Sequence, residues 1–291
     1  MRSIDKETYP WYKMNINEHG GGRVNSENRS MEILKEIEAR GSVSVVDLAK
    51  RFSVSEMTIR RDLTDLEKAG LARRVHGGAV SARARSYEPS LLVRSSKNMA
   101  AKQLIGKRAA SLVAEGDSIA IDSGTTALEM AKNLSGRRNL TVITPSLLVA
   151  NILANRSDIR LVLTGGIVRP EEGSLVGDLA QQAFQGLFID RLFLTVAAVD
   201  AEAGLTEYNW DDALVKRAMI HSATEVIAIA DASKFGHIAF AQAAPLSAVH
   251  QFVTDKAPTG ALAEAFAKHK IVVCVAGEED ASNGENDPDE T

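Results

Sequence analysis

Two groups of residues in this chain have types and spacings that could do chemistry. The first is Ser44, Ser55, Met57, Thr58, Arg60, Arg61 and Thr64, followed at short distance by Arg73, Arg74 and His76. On a helix, Met57, Thr58, Arg61 and Thr64 lie opposite the stripe Ile59, Leu63, Leu66, with Arg60 on the flank. That face suits a DNA major groove, where Arg makes a bidentate contact to guanine and Thr reaches a base edge or a phosphate. Taken singly, each arginine reads equally well as a solvated charge. The second group is Asp122-Ser123-Gly124-Thr125-Thr126, directly ahead of ALEMAKNL. Glycine lets a ligand approach the backbone, hydroxyls donate, and a helix start offers free N–H groups, so a phosphate fits there. Ser-Gly-Thr-Thr is also an ordinary capping sequence. Lys234, with Lys102 as a second candidate, would supply the opposing charge; alone, either lysine reads as surface.

Stepping outward from the first group, Ser44-Val-Val-Asp47 is a helix start signal, and Leu48, Ala49 and Phe52 share a face of the helix it opens. Ser53-Val54-Ser55 supplies a turn and the next N-cap, which makes residues 43–62 a helix-turn-helix. Gly70 reads as a C-cap. LARRVHGGAV then alternates and turns as a hairpin, placing Arg73, Arg74 and His76 on a wing against phosphates.

The second group sits in a different kind of chain. The apolar runs 118–122, 140–144, 159–166, 191–199, 225–231, 251–255 and 271–276 alternate with helical stretches. This is the pattern of an α/β domain with a mainly parallel sheet. Ligands of such sheets bind beyond the C-terminal strand ends, where Asp122 to Thr126, Ser146, Thr164-Gly165-Gly166 and Asp231 to Lys234 would converge.

Composition sets limits. Residues 29–85 hold twelve bases and eight acids, net +4, whereas all 291 residues together are −4, an asymmetry that points to a polyanion partner. The first residues contain no apolar signal region and no run approaches a membrane span, so a cytoplasmic location with no membrane partner is expected. Cys274, the single cysteine, lies in IVVCVA and reads as an inert core thiol; the six histidines lack metal-ligand spacing. No metal, cofactor or catalytic residue is assigned. The expected organisation is a disordered tail at 1–28, a winged helix-turn-helix at 29–85, a linker at 86–96, a ligand-binding and oligomerisation domain at 97–276, and an acidic disordered tail at 277–291. A single winged module reads a short site, so a homo-oligomer, dimer or tetramer, is expected.

VSEMTIRRDLTDLEKAGLARRVHGGAV closely resembles the N-terminal winged helix-turn-helix of the DeoR family of bacterial transcriptional regulators. DSGTT, LTGG, VKRAMI and DASKFG resemble that family's effector domain, which is similar in fold to ribose-5-phosphate isomerase. The resemblance implies a regulator of operator DNA, usually a repressor of a sugar or polyol operon, released by a phosphorylated sugar. It maps the phosphate loop onto Asp122 to Thr126, and the effector-side acid and lysine onto Asp200 and Lys234. An isomerase with an appended DNA-binding domain is the alternative, and an activator of the same architecture stays open. Where the isomerase carries its catalytic glutamate this chain has Lys216, which either faces the ligand or is a surface charge. Glu207, Tyr208 and Asn209, ahead of that helix, resemble the family members that answer to glycerol 3-phosphate.

Overall fold

The computed structural model describes residues 26–277 apart from 41, 69–70, 82–84, 87, 135, 137 and 171. The Gly70 cap, the acidic tail and most of the N-terminal tail fall outside the described residues. The chain divides between Ala82 and Arg83 into two compact units.

The first unit runs α1 (Ser26–Arg40), β1 (Ser42–Ser44), α2 (Val45–Phe52), α3 (Glu56–Lys68), β2 (Ala72–Val75) and β3 (Gly78–Ser81). Helix α1 begins at Ser26, inside the stretch expected to lack structure. Ser44 caps α2, its Oγ accepting from Asp47 N at 3.4 Å, and Ser55 Oγ accepts from Thr58 N at 3.2 Å. Between the helices Ser53 takes φ +52°, the left-handed conformation that turns the chain. Ile33, Ile37, Val45, Leu48, Ile59 and Leu63 close one core, each contributing about 1.5–3 kcal/mol relative to exposure. The wing is real, and wider than a hairpin: β1 joins it to give an antiparallel sheet in the order β1-β3-β2.

The second unit opens with α4 (Leu91–Ser96) and α5 (Met99–Ser111). The linker expected at 86–96 is therefore helical over its last six residues. There follow β4 (Ser118–Ile121), α6 (Thr125–Lys132), β5 (Leu140–Thr144), α7 (Leu147–Leu153), β6 (Ile159–Leu163), β7 (Ile167–Val168), β8 (Leu175–Val176) and α8 (Asp178–Gln182). The rest is β9 (Ile189–Leu194), β10 (Ala198–Asp200), β11 (Gly204–Glu207), α9 (Trp210–Ser222), β12 (Ala223–Ile229), β13 (Ala241–Ala244), β14 (Gln251–Thr254), α10 (Gly260–Lys268) and β15 (Val272–Val275).

Seven strands pair in parallel in the order β15-β14-β12-β9-β4-β5-β6. Alternation along each strand fills both faces: Ile119, Ile121, Phe193 and Ile229 go to one core, Ala120, Leu192, Leu194 and Ala228 to the other. From β4 the chain winds outward through β5 and β6, and from β9 it winds the opposite way through β12, β14 and β15. The winding therefore reverses between β4 and β9, the point at which sheets of this kind bind ligands beyond the C-terminal strand ends.

The run 191–199, expected as one strand, is two. The chain leaves the large sheet after Leu194 and enters an antiparallel sheet, β10-β11-β13, at Ala198. Every residue from Leu192 to Val199 is buried, so no change of apolar pattern marks the break. The run 159–166 likewise ends at Leu163. Gly166, at φ +116°, passes so close to β8 that a Cβ would stand 2.5 Å from the Val176 carbonyl oxygen.

Candidate functional site

In the first unit, α3 turns Ile59, Leu63 and Leu66 inward and leaves Met57, Arg60 and Arg61 exposed. These side chains are not equally available. Arg60 is paired with Glu56 at 2.9 Å. Thr58 Oγ1 lies 2.9 Å from Ser55 Oγ, and Thr64 Oγ1 donates to the Arg60 carbonyl at 2.7 Å. Among the described residues the Arg61 guanidinium has no hydrogen bond or ion pair, and Met57 is 74 % exposed beside it, one turn away. Arg74 is held from both ends: its backbone N–H donates to Glu67 Oε1 at 2.9 Å and its guanidinium donates to Thr64 Oγ1 at 3.0 Å, which staples the wing to α3. His76 is exposed in the wing turn, and Arg73 is half-buried on β2.

Ion pairing takes up some of the bases of this segment together with as many acids, which leaves its net charge at +4. Arg29 is buried in a two-point pair with Asp62, at 2.5 and 3.0 Å, and Arg51 is paired with Glu36. The Arg29 guanidinium is withheld from a polyanion by burial, whereas the Arg51 side chain stays half-exposed.

In the second unit all seven strands are parallel, so Asp122 to Thr126, Ser146, Thr164 to Gly166 and Asp231 to Lys234 stand along one edge of the sheet. Asp122 occupies the winding reversal itself. Its Oδ2 accepts from Thr195 N at 3.0 Å and lies 2.8 Å from Thr195 Oγ1, at the end of the neighbouring β9, and Oδ1 accepts from Ser123 N at 2.7 Å. The chain then turns at Gly124, φ +138°, where a Cβ would come 3.0 Å from Thr195 Oγ1. This close approach leads directly into α6. The N–H groups of Thr125, Thr126 and Ala127 find no acceptor among the described residues, as expected of a first helical turn.

Lys216, expected either at the ligand or on the surface, is 3 % exposed. Its ammonium pairs with Asp122, lies 3.3 Å from Glu207 Oε1 and donates to the Thr195 carbonyl at 3.0 Å. Burial works against that charge, yet the two carboxylates hold its pKa above the ordinary range. Glu207 is pushed up to about 7 by burial, only partly opposed by Lys216. Lys234 ends a short turn of helix at Ala232–Lys234, its backbone N–H donating to the Asp231 carbonyl at 3.0 Å, and its ammonium forms no hydrogen bond or ion pair among the described residues. Burial lowers its pKa, with Asp231 and Glu207 opposing.

The DeoR-like helix-turn-helix domain matches residues 29–85 and the DeoR C terminal sensor domain matches residues 97–256. Over 82 % of this chain and 94 % of its own length, the glycerol-3-phosphate regulon repressor of Escherichia coli strain K12 is 31 % identical. The transcriptional repressor AccR of Agrobacterium fabrum is 35 % identical over 79 % of this chain and 90 % of its own. The regulator GlpR of Haloferax volcanii is 36 % identical over 78 % and 88 %. The chain belongs to the DeoR family. It is a DNA-binding transcriptional regulator with a sensor domain, not an enzyme: the named relatives are regulators. Among solved structures, ribose 5-phosphate isomerase A from Neisseria gonorrhoeae covers 46 % of this chain and 52 % of its own at 18 % identity and a TM-score of 0.35, too slight a likeness to argue from.

Within the DeoR sensor domain two expected residues have other employment. The Asp200 carboxylate accepts from the backbone N–H groups of Glu202 and Ala203, both at 2.9 Å, and so fixes the β10–β11 turn; those bonds lower its pKa. The acids that meet Lys216 are Asp122 and Glu207. Lys102 is buried and donates to the carbonyls of Arg94 and, at 2.7 Å, Lys97, which leaves its ammonium closing the end of α4. Ser146 caps α7, accepting from Val149 N at 3.2 Å, and Thr164 donates to the Gly165 carbonyl at 3.1 Å. Thr195 and Asn98 were missed. Thr195 ends a strand at the winding reversal and was legible by that rule alone. Asn98, at φ +55°, donates to Asp231 Oδ1 at 2.8 Å, and no local pattern announces it. Cys274 is half-buried on edge strand β15, not sealed in the core.

Proposed function

We propose that this DeoR regulator represses a sugar or polyol operon and is released when a phosphorylated sugar or glycerol 3-phosphate binds its sensor domain. The observation that carries the reading is the loop Asp122 to Thr126. It lies at the winding reversal, with Gly124 drawn tight against Thr195 and the first N–H groups of α6 without protein acceptors. A helix start of this kind favours a dianion. Lys234 is the cation opposite it, and Glu207, beside Lys216, is an acceptor for ligand hydroxyls. The relative named for the glycerol-3-phosphate regulon supports the ligand class. On the DNA side, Arg61 and Met57 read bases, and Arg73, Arg74 and His76 meet phosphates.

The test is a thermal-shift panel of sugar phosphates and glycerol 3-phosphate. A ligand of the folded state at 100 times its dissociation constant adds roughly 2.7 kcal/mol. A panel in which no phosphorylated compound raises the transition, at concentrations where inorganic phosphate also fails, contradicts the reading.

The working form is a homo-oligomer in the cytoplasm. Exposed apolar side chains recur along the sequence between 163 and 188, in Leu163, Ile167, Val168, Leu179, Leu187 and Phe188, the segment that follows the edge strand β6. Exposed apolar surface of this kind is expected to meet a second copy.

A further inference from the structure

A chain of ion pairs runs through the second unit away from the phosphate loop. Asp212 sits one turn before Lys216 on α9 and accepts from Ser174 Oγ at 3.1 Å. Arg169, in the β7–β8 connection, pairs with Asp212 on one side and with Glu88 at 2.7 Å on the other. Glu88 pairs with Arg94 at 3.1 Å, and Arg94 pairs in turn with Glu172 while its Nε donates to the Pro89 carbonyl at 3.0 Å. The five side chains alternate in sign and are only 10 to 20 % exposed, so water screens them less than a surface pair. Two of them, Glu88 and Arg94, belong to the segment just after the DNA-binding unit. The ammonium of Lys102 closes the far end of that segment on the Arg94 and Lys97 carbonyls.

We propose that residues 88–96 form a strap whose fastening is read by the phosphate loop, the signal passing through Glu88, Arg169, Asp212 and Lys216 to Asp122. The arrangement suits the task because two cations, Lys216 and Arg169, each stand between two acids, and α9 joins Lys216 to Asp212. Asp122 shares Lys216 with Glu207, and Lys216 lies one turn from Asp212 on the same helix. Asp212 shares Arg169 with Glu88. A dianion arriving at the start of α6 changes the field at Asp122 and Lys216, and each shared cation then has two acids between which its bond is redistributed. Arg169 is a positioning residue here and touches no ligand.

Hydrogen exchange on the full-length chain tests the strap, with Glu88→Gln, Arg169→Met and the conservative Arg169→Lys. Without ligand, Glu88→Gln and Arg169→Met are expected to speed exchange at least ten-fold both in 88–102 and in 122–128, and Arg169→Lys to restore most of the parent's protection. Faster exchange confined to 88–102, or none at all, overturns the proposal, since a local tie would move only its own segment. The second arm adds inorganic phosphate against chloride of equal ionic strength. In the parent, protection is expected in 122–128 together with a change in 88–96; in Glu88→Gln only 122–128 responds. Parent protection of the loop with 88–96 unchanged also overturns the strap. This inference rests on the proposed phosphate site in its second arm alone: phosphate that protects nothing contradicts that site, and the ligand-free arm still decides the coupling.

Discussion

At the scale of the residue, the two sites use charge in opposite ways. Arg61 is exposed and uncommitted, as a base-reading side chain has to be. Arg61→Ala is expected to weaken operator binding by about 1–3 kcal/mol and to relax specificity at one position. Arg73→Ala or Arg74→Ala should weaken all sequences alike and flatten the salt dependence. Selection from random DNA with each variant separates these outcomes, and equal loss of specificity in helix and wing variants contradicts the division. At the sensor site the charges are already spent on one another. Lys216→Met leaves Asp122 and Glu207 buried without their cation and should cost about 3–5 kcal/mol in denaturant unfolding. Glu207 gives a pH signature. Its pKa near 7 in the folded protein, against about 4.3 in the unfolded chain, means that the folded state holds the extra proton between those values. Stability therefore falls as pH rises from about 4.5 to 7. Glu207→Gln should remove up to ~3 kcal/mol of that fall; a variant that follows the parent's profile contradicts the assignment.

At the scale of the element, legibility followed the range of the signal. Helix α3 and its caps were readable because stripe and caps lie within a dozen residues. All seven strands of the large sheet were readable as apolar runs. The small sheet was not, because β13 finds its partner β11 only across 34 to 39 residues, and β10 continues β9 without a change in composition. Lys216 was recognisable as out of place for an enzyme, but its partners Asp122 and Glu207 are distant in sequence. Asp200 holds its own turn, a use its sequence setting does not separate from ligand binding, because a carboxylate before a turn bonds its own backbone as readily as a ligand. Ser53 offers a test of element logic. It holds a left-handed conformation that glycine takes without Cβ strain. Ser53→Gly should raise the stability of the DNA-binding unit by up to about 1 kcal/mol and Ser53→Val lower it. Thermal unfolding in which Val is the better tolerated contradicts the turn geometry.

At the scale of the whole molecule, regulation requires that ligand and operator prefer different arrangements of the protein, and by linkage each must weaken the other equally. If this apolar surface joins copies, Phe188→Glu should shift the mass distribution in light scattering toward monomer and lower operator affinity by removing the second half-site. An unchanged mass would place the contact elsewhere. The central claim is that a phosphorylated ligand at the Asp122 to Thr126 loop, with Lys234 opposite, releases DNA. The most direct measurement is operator affinity, on a site recovered by selection, titrated with sugar phosphates and glycerol 3-phosphate in the parent and in Lys234→Ala. The account predicts that one of these compounds weakens the parent's binding at least ten-fold, while Lys234→Ala binds the operator normally and does not respond at that concentration. A Lys234→Ala protein that releases DNA at the parent's ligand concentration, or a parent indifferent to every phosphorylated compound, would contradict it.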